Sequence, residues 1–103
     1  MENKEVFSDV IGKICVVRAY EAGVYYGTVE AIDGTALKIT QVRNIWKWEG
    51  ATCLSQLAEE GIKDGKVSLV VGSMVILNVC QIIPMTDKAI NSLNGIEEWK
   101  IER

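Results

Sequence analysis

Aromatic and basic side chains alternate in residues 43–48, which read RNIWKW. If this segment is extended, Trp46 and Trp48 lie on the same face of a strand. Two indoles side by side stack well on a base or another planar ligand, and the guanidinium of Arg43 matches phosphate geometry. Large aromatic side chains also dominate hydrophobic cores and subunit interfaces. We therefore expect at least one tryptophan to be buried and the other, beside Arg43 and Lys47, to border a polar ligand.

A second arginine stands in the middle of an apolar segment. Arg18 follows a run of β-branched residues, where a charge is costly unless it is paired. One interpretation is a salt bridge to Glu30 or Asp33 on the adjoining strand. The other is an anion-binding guanidinium, and the sequence favours neither. If Arg18 and Arg43 converge beside an aromatic ring, they form a nucleotide site.

The remaining candidates are tyrosines and an asparagine. Tyr25 and Tyr26 point to opposite faces of a strand, so one belongs to the core and the other borders a pocket or a neighbouring subunit. Asn44 has the donors and acceptors to read a base edge, although isolated asparagines more often bond to backbone. The predicted ligand-binding residues are Arg18, Tyr26, Arg43, Asn44, Trp46 and Trp48.

The composition argues against catalysis and against metal binding. The 103 residues include no histidine, so neither a Ser–His nor a Cys–His nucleophile pair is available within the chain. Three scattered cysteines, Cys15, Cys53 and Cys80, contain no CxxC pair and do not indicate zinc. We expect reduced, mostly buried thiols, no catalytic residue, no metal site and no cofactor.

The charge and hydropathy of the chain restrict its partners. The net charge is −3, so the chain lacks the surplus of basic residues that is typical of nonspecific nucleic-acid binding. No segment approaches the roughly 20 apolar residues of a membrane span, and the charged first residues do not form a signal peptide. The expected location is therefore the cytoplasm, without a membrane partner. The length suits a single domain over residues 1–103.

The pattern of apolar residues and turns predicts a mainly β fold. Strands are predicted at residues 13–20, 24–32, 36–42 (extending through Trp48), 67–71 and 74–83. Short helices are predicted at residues 5–11, 54–60 and 87–94. Gly27 lies inside the second strand, where glycine often marks a bulge or a close backbone approach.

These elements predict a small five-stranded antiparallel barrel with short flanking helices. The last predicted strand, residues 74–83, is apolar on both faces. One face fills the barrel, and the other needs cover from the C-terminal helix or from another subunit. We therefore expect a homo-oligomer, either a dimer or a closed ring.

Two segments resemble the motifs of Sm-like proteins. Residues 23–33 contain a turn glycine, an aromatic pair and a Gly-x-apolar pattern ending at Asp33, and residues 72–83 are similar in outline to the second motif. Uridine-binding Sm proteins use an asparagine after the Asp and an Arg-Gly in the second motif. Here Thr35-Ala36 and Leu77-Asn78 stand at those places. The resemblance implies an SH3/Sm-like barrel and ring assembly. It does not identify any residue of this chain as an RNA contact.

The chain also resembles a family of small uncharacterised phage and prophage proteins. The similar segments are residues 11–18, the Gly-Val-Tyr-Tyr-Gly run, Arg43 with Trp46 and Trp48, and Ile82-Ile83-Pro84. This resemblance implies a viral or prophage origin and action in the cytoplasm of a bacterial host. It implies no particular activity.

Three functions remain open at this point. The first is non-enzymatic capture of a small anionic, nucleotide-type ligand near a subunit junction, which in a phage would sequester a host defence signal. The second is an Sm-like ring that binds RNA or another nucleic acid, and the acidic composition counts against it. The third is a structural role or the inhibition of a host protein.

Overall fold

A computed structural model of the protein describes residues 6–101, and within them the fold is mainly β. The strands are β1 (Ile14–Ala19), β2 (Gly23–Asp33), β3 (Ala36–Glu49), β4 (Asp64–Val67), β5 (Val71–Ile76) and β6 (Val79–Pro84). The helices are α1 (Leu54–Glu60) and α2 (Asp87–Asn94). The first three predicted strands and the last two predicted helices are confirmed, including the extension of β3 through Trp48.

The strands form one curled antiparallel sheet in the order β4-β3-β2-β1-β6. β3 has 14 residues and pairs with two strands on the side away from β2. Its first half pairs with β5, and its second half pairs with β4. The described residues contain no pairing between β5 and β6, so the sheet is not closed. The predicted mainly β, antiparallel fold is confirmed, with six strands in place of the predicted five.

The additional strand arises from a break in the segment predicted as one strand at residues 74–83. Asn78 adopts a φ of 57°, in the left-handed region that asparagine tolerates better than most residues. Its carbonyl accepts a hydrogen bond from the Tyr20 amide at 2.9 Å, and the next amide, Val79, donates to the Thr35 carbonyl at 2.9 Å. The chain therefore leaves the edge of β3 at Ile76 and joins the edge of β1 from Val79 onward.

The strand predicted at residues 67–71 is wrong. The fourth strand, β4, begins three residues earlier, at Asp64. β4 ends at Val67, and residues 68–70 have no regular structure before β5 begins. The apolar run alone did not indicate where the chain moves from one half of β3 to the other.

Gly27 lies at a close approach between β2 and β3, as the sequence predicts. The register of these strands shifts between Tyr26 and Thr28. A Cβ at Gly27 would lie 2.9 Å from the Thr40 carbonyl oxygen and 3.0 Å from the Cα of Val42. Only a residue without a side chain allows the two backbones to come this close.

The helices end and begin with ordinary caps. Thr86 precedes α2 and its hydroxyl accepts a hydrogen bond from the Ala89 amide at 3.1 Å. Gly61 ends α1 with a φ of 83°. The helix predicted at residues 5–11 begins outside the described residues. Within its described part, the amides of Val10 and Ile11 both donate to the Phe7 carbonyl at 3.0 Å, forming a single turn.

The sheet separates two hydrophobic clusters. The first lies inside the curl and includes the fully buried Val17, Val29 and Ile39. The second lies between the sheet and the helices and includes Val16 and Leu93. Successive residues of β1 thus alternate between the clusters, because side chains of a strand point to opposite faces. Within residues 6–101, no helix has the length and apolar character that crossing a membrane requires.

Candidate functional site

Arg43 lies in the interior and binds the C-terminal part of the chain. Its side chain is only 7% exposed. Nε donates to the Ser68 carbonyl at 2.8 Å, and Nη2 donates to the Ile96 carbonyl at 3.1 Å. Nη1 donates to the Tyr26 hydroxyl at 3.2 Å and to the Leu93 carbonyl at 3.4 Å. The guanidinium is thus committed to protein acceptors, and we call this set of contacts the Arg43 clamp.

Tyr26 is part of the same buried network. It is 3% exposed, and its hydroxyl donates to Asn94 Oδ1 at 2.9 Å. Burial raises the pKa of Tyr26 above its ordinary value, and the nearby Arg43 partly opposes that shift. The prediction that Tyr26 and Arg43 contact a ligand needs correction, because both side chains are enclosed and bonded to each other.

Asn44 serves the backbone. The side-chain Nδ2 of Asn44 donates to the Val24 carbonyl at 2.9 Å, and its backbone N–H donates to Ser68 Oγ at 2.8 Å. It therefore joins β2, β3 and the segment after β4. The sequence left two roles open for Asn44, recognition of a base edge and hydrogen bonding to backbone. These contacts correspond to the second role.

Trp46 and Trp48 do not share one face of β3, contrary to the prediction from simple alternation, and only Trp48 is partly enclosed. The pairing of β3 with β4 shifts register between Ile45 and Lys47. A bulge at this place breaks the alternation of side chains along the strand. Trp46 is therefore 59% exposed, whereas Trp48 packs partly buried against the second cluster.

Arg18 and Trp48 line one open groove of about 740 Å³, which we call the Arg18 groove. The hydroxyls of Thr52 and Ser55 and the amide of Gln81 also line it. Arg43 does not, so the two arginines do not converge. The groove contains the groups that bind a phosphate and stack on a planar ring, and the carboxylate of Glu21 lies at its wall as an opposing charge.

Of the two interpretations left open for Arg18, the salt bridge to Glu30 or Asp33 does not form within residues 6–101. β1 and β2 pair in a register that places Arg18 opposite Val24, six residues away along the strand from Glu30. The Glu30 carboxylate instead accepts a hydrogen bond from the Thr40 hydroxyl at 2.7 Å. Within residues 6–101, Arg18 takes part in no ion pair, and its side chain is exposed.

A second surface combines Trp46 with a residue that the sequence analysis missed. Trp99 is 50% exposed, and its ring centroid lies 5.0 Å from that of Trp46 at an interplanar angle of 81°. Lys66 Nζ lies 4.2 Å from the Trp99 centroid. We call Trp46, Trp99, Lys47 and Lys66 the tryptophan face. No local signal marked Trp99, because its position depends on the Arg43 clamp and on β4.

The cysteines differ from the expectation of mostly buried thiols. Cys15 is buried, and loss of solvation raises the pKa of its thiol to about 11. Cys53 and Cys80 are free and exposed. A hydrogen bond from the Gln56 backbone, together with one from the Thr52 side chain, lowers the pKa of Cys53.

The two ends of the sheet carry unpaired strand edges. β5 pairs only with β3, and β6 pairs only with β1, in the part of the chain that the structure describes. Tyr20, Val75 and Leu77 are 70%, 63% and 61% exposed and line one shallow hollow beside β5. Free edges with apolar neighbours favour pairing with another strand.

The curled antiparallel sheet with its long, doubly paired β3 defines a protein with an Sm-like fold. The chain is similar to a solved heptameric archaeal Sm protein, with 22% identity and a TM-score of 0.54, over 80% of this chain and 98% of that chain. The chain belongs to the family described as a domain of unknown function, DUF6948, whose model matches residues 12–93. No curated protein matches it.

Proposed function

We propose that the protein is a non-enzymatic module of Sm-like fold that assembles with copies of itself and binds single-stranded RNA. The observation that carries this proposal is the open sheet, in which no strand of residues 6–101 pairs with the outer edges of β5 and β6. The similar archaeal Sm protein is heptameric, and its description relates it to the snRNP core. The likeness supports an assembled, RNA-binding role by analogy of fold.

The edges are suited to pair with each other. β5 of one copy and β6 of the next would extend the sheet by antiparallel or parallel hydrogen bonds without rearrangement of either strand. Val75 and Leu77 lie beside the β5 edge and expose more than half of their area. Contact with a second copy would remove this apolar surface from water at roughly 25 cal/mol per Å².

Sedimentation velocity and native mass spectrometry test the assembly. The wild-type chain is expected as a multimer, and Val75→Lys is expected to shift the mass toward the monomer, because a lysine at a strand edge opposes pairing. Ile101→Lys is the matched control, since Ile101 is 89% exposed and lies away from β5 and β6 in the sequence. A monomeric wild type at tens of micromolar would overturn the assembly.

RNA binding is tested separately with a fluorescent oligouridylate and its DNA counterpart. Anisotropy is measured over a salt series, because binding to phosphates weakens as salt rises. The net charge of −3 leads us to expect modest affinity and a shallow salt slope. A flat titration at low salt would remove RNA from the proposal while leaving the assembly intact.

The Arg18 groove supports a second candidate, the capture of a small anionic, nucleotide-type ligand. An exposed guanidinium and a half-buried indole line the same open groove, together with two hydroxyls. Arginine suits phosphate, and the indole suits a base. The finer form of this proposal, sequestration of a host defence signal by a phage-derived protein, depends on the resemblance to phage proteins.

Isothermal titration with cyclic dinucleotides and cyclic ADP-ribose isomers tests this second candidate. Arg18→Ala should abolish the heat of binding, whereas Lys13→Ala, which replaces another exposed cation outside the groove, should not. Silence of the wild type across the panel would leave the groove without a nucleotide ligand.

A further inference from the structure

We infer that the tryptophan face is a stacking platform for the unpaired bases of single-stranded RNA. This inference rests on the proposed RNA-binding function and names the surface that performs it. The surface is formed by Trp46, Trp99, Lys47 and Lys66 at the β3–β4 end of the sheet.

The arrangement of the rings leaves room for a base. The bulge between Ile45 and Lys47 turns Trp46 outward, and 59% of it is exposed. At an interplanar angle of 81°, one ring presents its edge to the other, so the contact occupies only one ring face. An exposed indole face attracts any base, because stacking requires a π-system and no particular sequence.

The platform is held in place before a ligand arrives. The Trp99 amide donates to the Val67 carbonyl at 2.8 Å, and the Arg43 clamp holds the Ile96 carbonyl three residues earlier. Lys66 covers part of the Trp99 ring from a distance of 4.2 Å. Binding therefore orders few additional side chains, which lowers its entropic cost.

The lysines supply a place for phosphate. Lys47 and Lys66 are directly opposite each other on β3 and β4, and both are exposed. Like charges in this relationship repel each other, and the contact of Lys66 with the Trp99 ring does not neutralise either charge. A phosphodiester placed between them would relieve the repulsion, which adds charge complementarity to the stacking surface.

Carboxylates restrict where the RNA backbone runs. Asp64, Glu97 and Glu98 line a hollow of about 530 Å³ beside Trp99. Glu98 is paired with Lys100 at 3.0 Å, but the other two keep the hollow acidic. Lys66 also lines this hollow, so its carboxylates repel phosphates from the side of Asp64 and Glu97 and leave the side that Lys66 shares with Lys47.

The inferred platform differs from the place where uridine-binding Sm proteins hold RNA. The corresponding positions here are Thr35-Ala36 and Leu77-Asn78, which lack the asparagine after the Asp and the Arg-Gly pair. The tryptophan face lies on β3, β4 and the segment after α2 instead.

The test uses the full chain and a fluorescent 12-nucleotide oligouridylate. Trp46→Ala should weaken binding at least five-fold, since stacking of one base contributes about that much or more. Trp46→Phe should restore part of the affinity, because it keeps a ring. Lys47→Ala should reduce the salt slope, whereas Lys88→Ala, which removes an exposed lysine on α2, should leave affinity and slope unchanged.

Each outcome has a separate meaning. Wild-type binding that survives both Trp46→Ala and Trp99→Ala would overturn the platform and leave the proposed RNA binding standing. No binding by the wild type would overturn the proposed RNA function and the platform with it. If Trp46→Ala lowers the assembly mass, or if the face captures a protein in place of the oligonucleotide, the face is a protein interface and the inference is wrong.

Discussion

Arg43 donates a hydrogen bond from Nη2 to the carbonyl of Ile96 at 3.1 Å, linking the middle of β3 to the segment that follows α2. The same guanidinium reaches the Leu93 carbonyl at the end of that helix. The Leu93 carbonyl also accepts from the Ile96 amide at 3.1 Å, so Arg43 adds a second donor there and bonds the Ile96 carbonyl beyond the helix. The position of the C-terminal segment, and of Trp99 within it, depends on this residue.

Replacement of Arg43 is expected to loosen that segment. Arg43→Lys keeps the charge but loses the forked donors, so buried carbonyls lose their partners at a cost of about 1–3 kcal/mol in the free energy of unfolding. Urea unfolding measures this cost, and hydrogen exchange should speed up at residues 93–99. Tyr26→Phe, which removes one hydroxyl from the network, should cost less. Equal stability of wild type and Arg43→Lys would contradict the clamp.

Gly27→Ala is expected to destabilise the sheet by about 1–3 kcal/mol, as overpacking of an interior usually does. The added methyl would press on the Thr40 carbonyl at 2.9 Å and on the Ile39 side chain at 3.0 Å. Gly72→Ala is the matched control, because nothing lies within 4 Å of a Cβ at that position. Thermal unfolding measures the stability of both variants. Similar melting temperatures for Gly27→Ala and Gly72→Ala would contradict the prediction and would show that β2 and β3 can move apart.

Cys53 is expected to react with iodoacetamide with a pH midpoint below the ordinary thiol value of 9.0, since hydrogen bonds to the sulfur favour the thiolate. Peptide mapping of alkylated protein over pH 6–10 measures the midpoint. Thr52→Ala should move the midpoint upward, because it removes one of these donors. The buried Cys15 should remain unmodified while the protein is folded. A midpoint at 9.0 or above would rule out this activation.

Alkaline pH is expected to destabilise the protein through Cys15. Its pKa is about 11 in the folded state and 9.0 ordinarily, so the unfolded chain releases this proton first. The stabilising contribution is complete below pH 9 and is lost as pH rises toward 11. Melting temperatures of the wild type and Cys15→Ala over pH 8–11 measure it, with a flatter profile expected for the variant. If the melting temperatures of the two proteins fall in parallel, groups other than Cys15 cause the loss of stability at alkaline pH.

The sequence predicted the parts of the fold that local patterns determine. β1, β2 and β3 alternate or end at turn residues such as Gly34, and Thr86 and Gly61 mark helix boundaries. It did not predict the boundaries of β4, β5 and β6. Those depend on which half of β3 each strand meets and on the backbone reversal at Asn78, and both are tertiary properties that an apolar run does not encode.

The candidate site was predicted less well for a related reason. The bulge that separates Trp46 from Trp48 is set by the pairing of β3 with β4, and the sequence of β3 alone favours simple alternation. Arg43 stands between residues that suggest a ligand site, yet its acceptors lie 17 to 53 residues away. Arg18 and Trp48 meet at the groove because β2 pairs with both β1 and β3, which places Arg18 opposite Val24 and Val24 opposite Ile45.

The open sheet also bears on the kind of polymer that the proposed assembly would give. The outer edges of β5 and β6 are different surfaces, so contact between them would be head-to-tail and would make each copy a bivalent building unit. Whether such units return to their starting point as a ring or continue as a helical filament is a matter of the rotation from one copy to the next. A small change in the curvature of β3 would therefore alter the number of subunits without changing a single contacting residue.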